Sequence, residues 1–400
     1  REVPAGATSP LVLVHPGWLM LLAAICLTAL GIYAISLTGG LEAGLNTFAR
    51  KQVVFLGIGL AGCAIAAVPH YRWLNELMVP LAVLTVGLLI MVLLPLPRTL
   101  VPVRNGATRW INLGVMDFQP SEVAKIVFVM SIAFLLQRRV SHRTFLGMLA
   151  LFAYTAVPVG LIVVEPDLGS ASLFVPALMA MLVAGGATLR HLFFVAGMGL
   201  SFAAAAVALS LFFASQAEPS YPLLREHQVR RLQAMVNTLT GDESGADTIN
   251  YQGDKARTIV GAGGLTGLDE RTSRATIHFN ALPEDHNDMI FAVICNRFGL
   301  LGGLVVVLLQ GTLVMSALWV AGVCREPFGR ITAVGIAAML GTQATVNIGM
   351  TVGLLPITGM TLPFVSYGGS SLLTGYIMIG LIINIALRPP GHLQRDSFEF

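Results

Sequence analysis

Charge is scarce in this chain. Of 400 residues, 24 are Lys or Arg and 21 are Asp or Glu, 11% in all, against about 25% in an ordinary globular domain. That shortage excludes intrinsic disorder, a coiled coil and a basic nucleic-acid-binding module, each of which is rich in charge. Cysteine is scarce too. Cys26, Cys63, Cys295 and Cys324 are scattered with no CxxC spacing, which excludes a disulfide framework and a cysteine-built metal site. There is no HExxH helix, no Gly-Lys-Ser/Thr phosphate loop and no serine-nucleophile elbow, and the histidines are dispersed. No period of repeat length and no low-complexity tract runs through the chain.

What is plentiful is apolar residues. They make up 55% of the chain, with a mean hydropathy of +0.78. Runs of spanning length fall at about 17–38, 53–69, 77–96, 121–137, 145–164, 168–186, 191–214, 288–322, 330–355 and 368–388, each near the ~20 residues that cross a bilayer as a helix. The first is as long as a full span, so it reads as a retained helix and not a cleaved signal. The 168–186 run is short, which predicts a tilted or partly buried helix. The expectation is an all-α polytopic integral membrane protein, a single domain over 1–400 with about ten transmembrane helices. One large extracytoplasmic loop, 215–287, interrupts it.

Ten spans put both termini on one side. The short loops and tails of that side carry Arg72, Arg138, Arg139, Arg143, Arg190, Arg325, Arg330, Arg1, Arg388 and Arg395. The opposite short loops carry Arg50, Lys51, Arg98, Arg104 and Arg109. Ten against five places the termini in the cytoplasm. The 215–287 loop then faces outward. Within it, residues 225–239 set Val229, Leu232, Val236 and Leu239 at helical spacing opposite Arg225, Arg230 and Arg231. That amphipathic helix suits either the membrane surface or the protein body. Gly261, Gly263, Gly264 and Gly267 read as a bare glycine-rich turn, with neither the lysine of a phosphate loop nor a strand–helix unit around it.

An ionisable group within the membrane costs about 2.5–3.5 kcal/mol on insertion scales, so the few near the spans are candidate functional residues. Glu122 and Lys125 lie one turn apart and share a face, as a functional pair or as a packing pair. Glu165 and Asp167 flank Pro166 between two spans, where a solvated turn would explain them equally. Asp288 opens the eighth apolar run beside His286 and Asn287. Arg297, nine residues on, falls on the opposite helical face roughly 13.5 Å away, which excludes a simple pair with Asp288. Arg109, Glu122, Lys125, Asp167 and Asp288 all fall on the outer side. Such a set fits a polar cavity for an anionic, lipid-linked substrate, with cations for phosphates and a carboxylate for proton transfer.

Four segments then carry a resemblance. They are Asn105-Gly-Ala-Thr-Arg109-Trp110 with Phe118-Gln-Pro-Ser-Glu122-Val-Ala-Lys125; Glu165-Pro-Asp167-Leu-Gly-Ser; Leu282-Pro-Glu-Asp-His286-Asn-Asp288-Met-Ile-Phe-Ala; and Asn347-Ile-Gly-Met-Thr351 through Leu362-Pro-Phe-Val-Ser366-Tyr-Gly-Gly-Ser-Ser371. In that order, over essentially the whole chain, the sequence resembles the SEDS family of bacterial cell-wall proteins, which includes RodA, FtsW and sporulation relatives. The resemblance implies an inverting peptidoglycan glycosyltransferase of the bacterial cytoplasmic membrane. It would polymerise lipid II at the outer face beside a class B penicillin-binding protein, with no nucleic-acid partner. It places the catalytic acid on Asp288 and substrate contacts on Arg109, Glu122, Lys125, Asp167, His286 and Ser366. A divalent cation such as Mg2+ or Mn2+ is the one cofactor it admits. The wording around Phe118 and Asn347 is nearer to the elongation members (RodA) than to the division members. A lipid II flippase and a non-enzymatic scaffold are the rival functions. The chain also departs from the family pattern. Asn296-Arg297 stands where two acids are usual, Lys255 where a glutamine is, Asn287 where a threonine is, and Leu268 where the glycine-rich turn usually has lysine.

Overall fold

The computed structural model describes residues 15–41, 44–104, 107–112, 114, 116–138, 144–214, 229 and 251–388. The amphipathic segment expected at 225–239 lies outside the described residues apart from Val229. All ten apolar runs are helical. Seven of these helices are long and apolar enough to cross a membrane by length and composition: α1 (Pro16–Leu37), α2 (Thr47–Ala67), α5 (Pro120–Arg138), α6 (Phe145–Val164), α12 (Ile290–Val323), α13 (Pro327–Thr351) and α14 (Gly369–Ala386). The other three runs form α4 (Met78–Leu93), the pair α7 (Leu168–Ser172) and α8 (Phe174–Ala184), and α9 (Leu189–Ala214). A short helix α3 (Tyr71–Glu76) precedes α4, and α10 (Tyr251–Gly263) and α11 (Glu270–Asn280) belong to the large loop.

The distribution of polarity is that of a membrane protein. Along α12, Leu300, Leu304, Leu308, Met315 and Trp319 are all at least half exposed and recur at helical spacing, a continuous apolar face suited to acyl chains. The interior holds polar side chains. Glu122, Lys125, Asn296, Gln310, Gln343, Asn347 and Asn384 are buried. Amides and ion pairs of this kind hold helices together where lipid supplies no hydrophobic drive. On α1, Thr28 shares a 3.1 Å hydrogen bond with Tyr376 of α14. On α2, the Gln52 amide donates to the Ser366 carbonyl at 2.9 Å.

Two antiparallel ladders too short for any periodicity signal lie between α4 and α5. In the first, β1 (Val103–Arg104) pairs with β2 (Ala107–Thr108); in the second, β3 (Ile111–Asn112) pairs with β4 (Asp117–Phe118). They carry Arg109 and Gln119 to the turn between α6 and α7.

The glycine-rich turn is more than a bare loop. Helix α12 breaks at Gly299, which takes φ 68° and ψ −164°, a conformation open to glycine alone. The amides freed there are satisfied from the turn: Leu300 N–H donates to Gly264 O at 2.9 Å and Leu301 N–H to Leu265 O at 3.3 Å, while Leu268 N–H returns a bond to Asn296 O at 3.0 Å. The fit is close, since a methyl on Gly263 would sit 2.0 Å from the Cys295 carbonyl oxygen. A broken membrane helix needs such partners for its exposed backbone groups.

Candidate active site

Three groups of side chains converge around the segment between α13 and α14. The first is built on the turn from α6 to α7. Asp167 caps α7, its Oδ1 accepting from Ser170 N–H at 3.0 Å. Its Oδ2 accepts from the Ser170 hydroxyl at 2.8 Å and from Gln119 Nε2 at 3.1 Å. Arg109 reaches the same turn, donating from Nε to the Glu165 carbonyl at 2.9 Å and from its terminal nitrogen to the Pro166 carbonyl. These bonds engage two of the five guanidinium N–H groups and fix the cation beside the acids. Glu165 is buried, and among the described residues neither carboxyl oxygen has a hydrogen-bond partner. Burial first, and Asp167 second, push its pKa up to about 8, with Arg109 opposing.

That shift has a pH consequence. The folded value lies above the ordinary 4.5, so the contribution of Glu165 to stability is full below about pH 4.5 and is lost as pH rises through about 8. Glu165→Gln removes the ionisation. The variant is expected to gain on the wild type as pH rises from 5 to about 8.5, read as the difference in thermal unfolding midpoint in detergent. A difference independent of pH would refute the assignment.

The second group is deeper. Glu122, in the first turn of α5 where the helix dipole favours an anion, accepts from Lys125 Nζ at 2.8 Å. Both side chains are more than nine-tenths buried. Lys125 also donates to Gln343 Oε1 at 3.3 Å, and Gln343 Nε2 donates on to the Thr361 carbonyl at 2.9 Å. A small cavity of about 10 Å³ lies beside them, lined also by Phe364, Ser371 and Met378. Lys125 thus bonds Glu122 and Gln343, whereas Arg109 bonds the Glu165–Pro166 turn.

The third group surrounds Asp288, which is half-buried in the turn leading into α12. Three consecutive carbonyls of that turn are held from elsewhere. Tyr367 N–H donates to His286 O at 2.9 Å, Ser366 Oγ to Asn287 O at 2.7 Å, and Asn347 Nδ2 to Asp288 O at 2.9 Å. The Ser366 hydroxyl also accepts from Leu362 N–H at 2.7 Å, so this residue, expected as a substrate contact, pins backbone. His286 pairs through Nδ1 with Asp285 at 3.0 Å. Its ring stacks on exposed Phe48 with centroids 4.4 Å apart and planes at 18°. Two left-handed non-glycine residues, Glu284 at φ 54° and Phe364 at φ 64°, sit in these segments. Such strain persists where surrounding structure over-determines it.

Thr358, Gly359 and Met360 join the groups. A methyl on Gly359 would lie 3.4 Å from Asp288 Oδ2, and one on Gly169, next to the Asp167 cap, 2.7 Å from Met360 Cγ and 3.0 Å from Thr358 O. Asp288 and the Asp167 turn thus both lie against one short loop. Gln119, Gln343 and Asn347 were not singled out from sequence. The available signal was an uncharged amide inside an apolar run, with Gln343 and Asn347 one turn apart on α13.

The unusual residues have partners too. Asn296 is fully buried; its Nδ2 donates to Ile259 O at 2.9 Å and its Oδ1 accepts from Ser273 Oγ at 2.8 Å. Arg297 turns away from Asp288, donating to Tyr33 Oη at 3.0 Å and Leu268 O at 2.8 Å. Lys255 donates to Asn280 O. Asn296 and Arg297 dock the large loop on the bundle, and Lys255 ties two of the loop's own helices together.

A bundle of apolar helices with lipid-suited outer faces and polar side chains buried among them defines a polytopic membrane protein. Residues 15–389 match the family model for RodA, FtsW and stage V sporulation protein E, described as "Cell cycle protein", and the chain belongs to that family. A probable peptidoglycan glycosyltransferase FtsW from Trichlorobacter lovleyi is 30% identical over 92% of both chains. The peptidoglycan glycosyltransferase MrdB of Escherichia coli K12 is 32% identical over 71% of this chain and 72% of its own. A solved chain from a study of polymerisation and crosslinking by a peptidoglycan synthase complex superposes with a TM-score of 0.73. It is 27% identical, with 93% of this chain and 98% of that one covered.

Proposed function

We propose that this peptidoglycan glycosyltransferase joins lipid II units into glycan strands at the outer face of the cytoplasmic membrane, with Asp288 as general base. The observation that carries the reading is the placement of Asp288. Its carboxylate lies against Gly359 in the loop between α13 and α14, and the main chain of residues 286–288 is fixed by three donors from other segments. An α-linked donor and a β-1,4 product require one inversion, hence one displacement. Asp288 takes the proton from the acceptor hydroxyl as its oxygen attacks the anomeric carbon, and the bond to the lipid pyrophosphate breaks. Arg109, held at the Glu165–Pro166 turn, supplies positive charge for the departing pyrophosphate. Lys125 adds positive charge, and His286 with Phe48 offers a flat face to a sugar ring.

A divalent cation such as Mg2+ or Mn2+ would add charge at the same pyrophosphate. Among the described residues no three His, Cys, Asp or Glu side chains gather to hold one, so no step is routed through it. The excess of arginine on the short loops of one side supports cytoplasmic termini. The wording around Phe118 and Asn347 favours the elongation role, beside a class B penicillin-binding protein.

The test is purified protein with labelled lipid II in vesicles, alone and with candidate penicillin-binding proteins. Glycan polymer is expected. Movement of lipid II between leaflets without polymer would replace the enzyme by a flippase.

A further inference from the structure

Asn347 is fully buried within α13, so it has no access to substrate, yet its side chain is anchored on the catalytic segment. The Nδ2 group has two hydrogens. One goes to the Asp288 carbonyl at 2.9 Å and the other to the Met360 carbonyl at 2.5 Å. Met360 follows Gly359, the residue against which Asp288 Oδ2 lies. A single amide therefore grips both the main chain that carries the carboxylate and the loop that forms its floor. One turn earlier on the same helix, Gln343 grips the next carbonyl of that loop, Thr361. The helix thereby supplies a rigid, buried rail for two irregular segments that otherwise have few regular backbone bonds.

We propose that Asn347 is a positioning residue for the transferase reaction, setting the distance between the Asp288 carboxylate and the acceptor hydroxyl. The inference rests on Asp288 being the base. Asn347→Asp keeps the shape of the side chain and removes both donors. Held-geometry effects are steep, with a misplacement of about 1 Å costing on the order of 10²-fold in rate. Asn347 touches nothing that binds the lipid-linked sugar, so its loss acts on turnover and leaves substrate affinity alone.

The experiment is steady-state polymerisation of labelled lipid II by purified wild type and Asn347→Asp. Folding is checked by chromatographic homogeneity and thermal midpoint. The expected result is a kcat lower by about 10- to 100-fold with KM unchanged within about twofold. If the aspartate does not fold, Asn347→Ser is used; its short hydroxyl cannot serve both carbonyls, and the same split is expected. A folded variant with kcat within about twofold of wild type, or one whose loss lies in KM, overturns the proposal. So does failure of both variants to fold, which would make Asn347 a residue of the fold alone. Absence of polymer from the wild type strikes instead at the enzyme reading.

Discussion

Asp288→Asn is expected to abolish detectable glycan polymer from purified protein while leaving lipid II binding largely intact. The asparagine side chain matches the carboxylate in size, so contact with Gly359 survives. The three bonds that hold the turn run to the main-chain carbonyls of residues 286–288, and they persist whatever side chain stands at 288. What disappears is the capacity to accept a proton. General-base catalysis contributes typically 10²–10⁴-fold, and a sugar hydroxyl is a poor nucleophile without it. In the proposed reading binding rests on Arg109, whose bonds to the Glu165–Pro166 turn the substitution leaves in place. The measurement is polymer by gel and lipid II affinity on the same preparation. Glycan strands at wild-type rate from Asp288→Asn would remove the residue from the mechanism.

Much of this arrangement was legible in the sequence, and the parts that were not share a cause. Length and hydropathy are properties of single segments, so all ten apolar runs were readable as helices. So was the Glu122–Lys125 pair, because i,i+3 neighbours share a face wherever the helix goes. Arg297 was likewise placed away from Asp288 by helical geometry alone. The break at Gly299 was hidden, since a glycine within a long apolar run carries no sign of a non-helical φ. Its cause lies in the turn at 263–267, more than thirty residues earlier. The role of the glycine-rich turn is hidden for the same reason: its partner is a helix interior and not a ligand. Ser366 was legible as a motif member by resemblance, but its hydroxyl is engaged by Leu362 and Asn287, a tertiary fact. Asn347 and Gln343 are uncharged, so a search for costly charges in the membrane passes over them.

Lys125→Met is expected to destabilise the protein by about 3–5 kcal/mol, the usual cost of leaving a buried ionised partner behind. Glu122 and Lys125 are screened from solvent, with side chains 7% and 4% exposed. Glu122 Oε2 already has no hydrogen-bond partner among the described residues, so loss of the ammonium strands the carboxylate entirely. The double variant Glu122→Gln/Lys125→Met removes both charges, and most of the lost stability should return, because a neutral amide carries a far smaller desolvation penalty. Unfolding of the four proteins in one detergent forms the double-mutant cycle. A single-variant loss below about 1 kcal/mol would mean that the pair is solvated in the folded protein. The refolded double variant then separates the two roles left open for the pair. If Lys125 supplies charge to the departing pyrophosphate, its removal costs on the order of 10²–10³ in kcat even in a stable protein. If the pair only joins α5 to Gln343 and its loop, the stable double variant polymerises lipid II near the wild-type rate. The role proposed for Lys125, positive charge acting on the departing pyrophosphate, makes a stable but slow double variant the outcome expected.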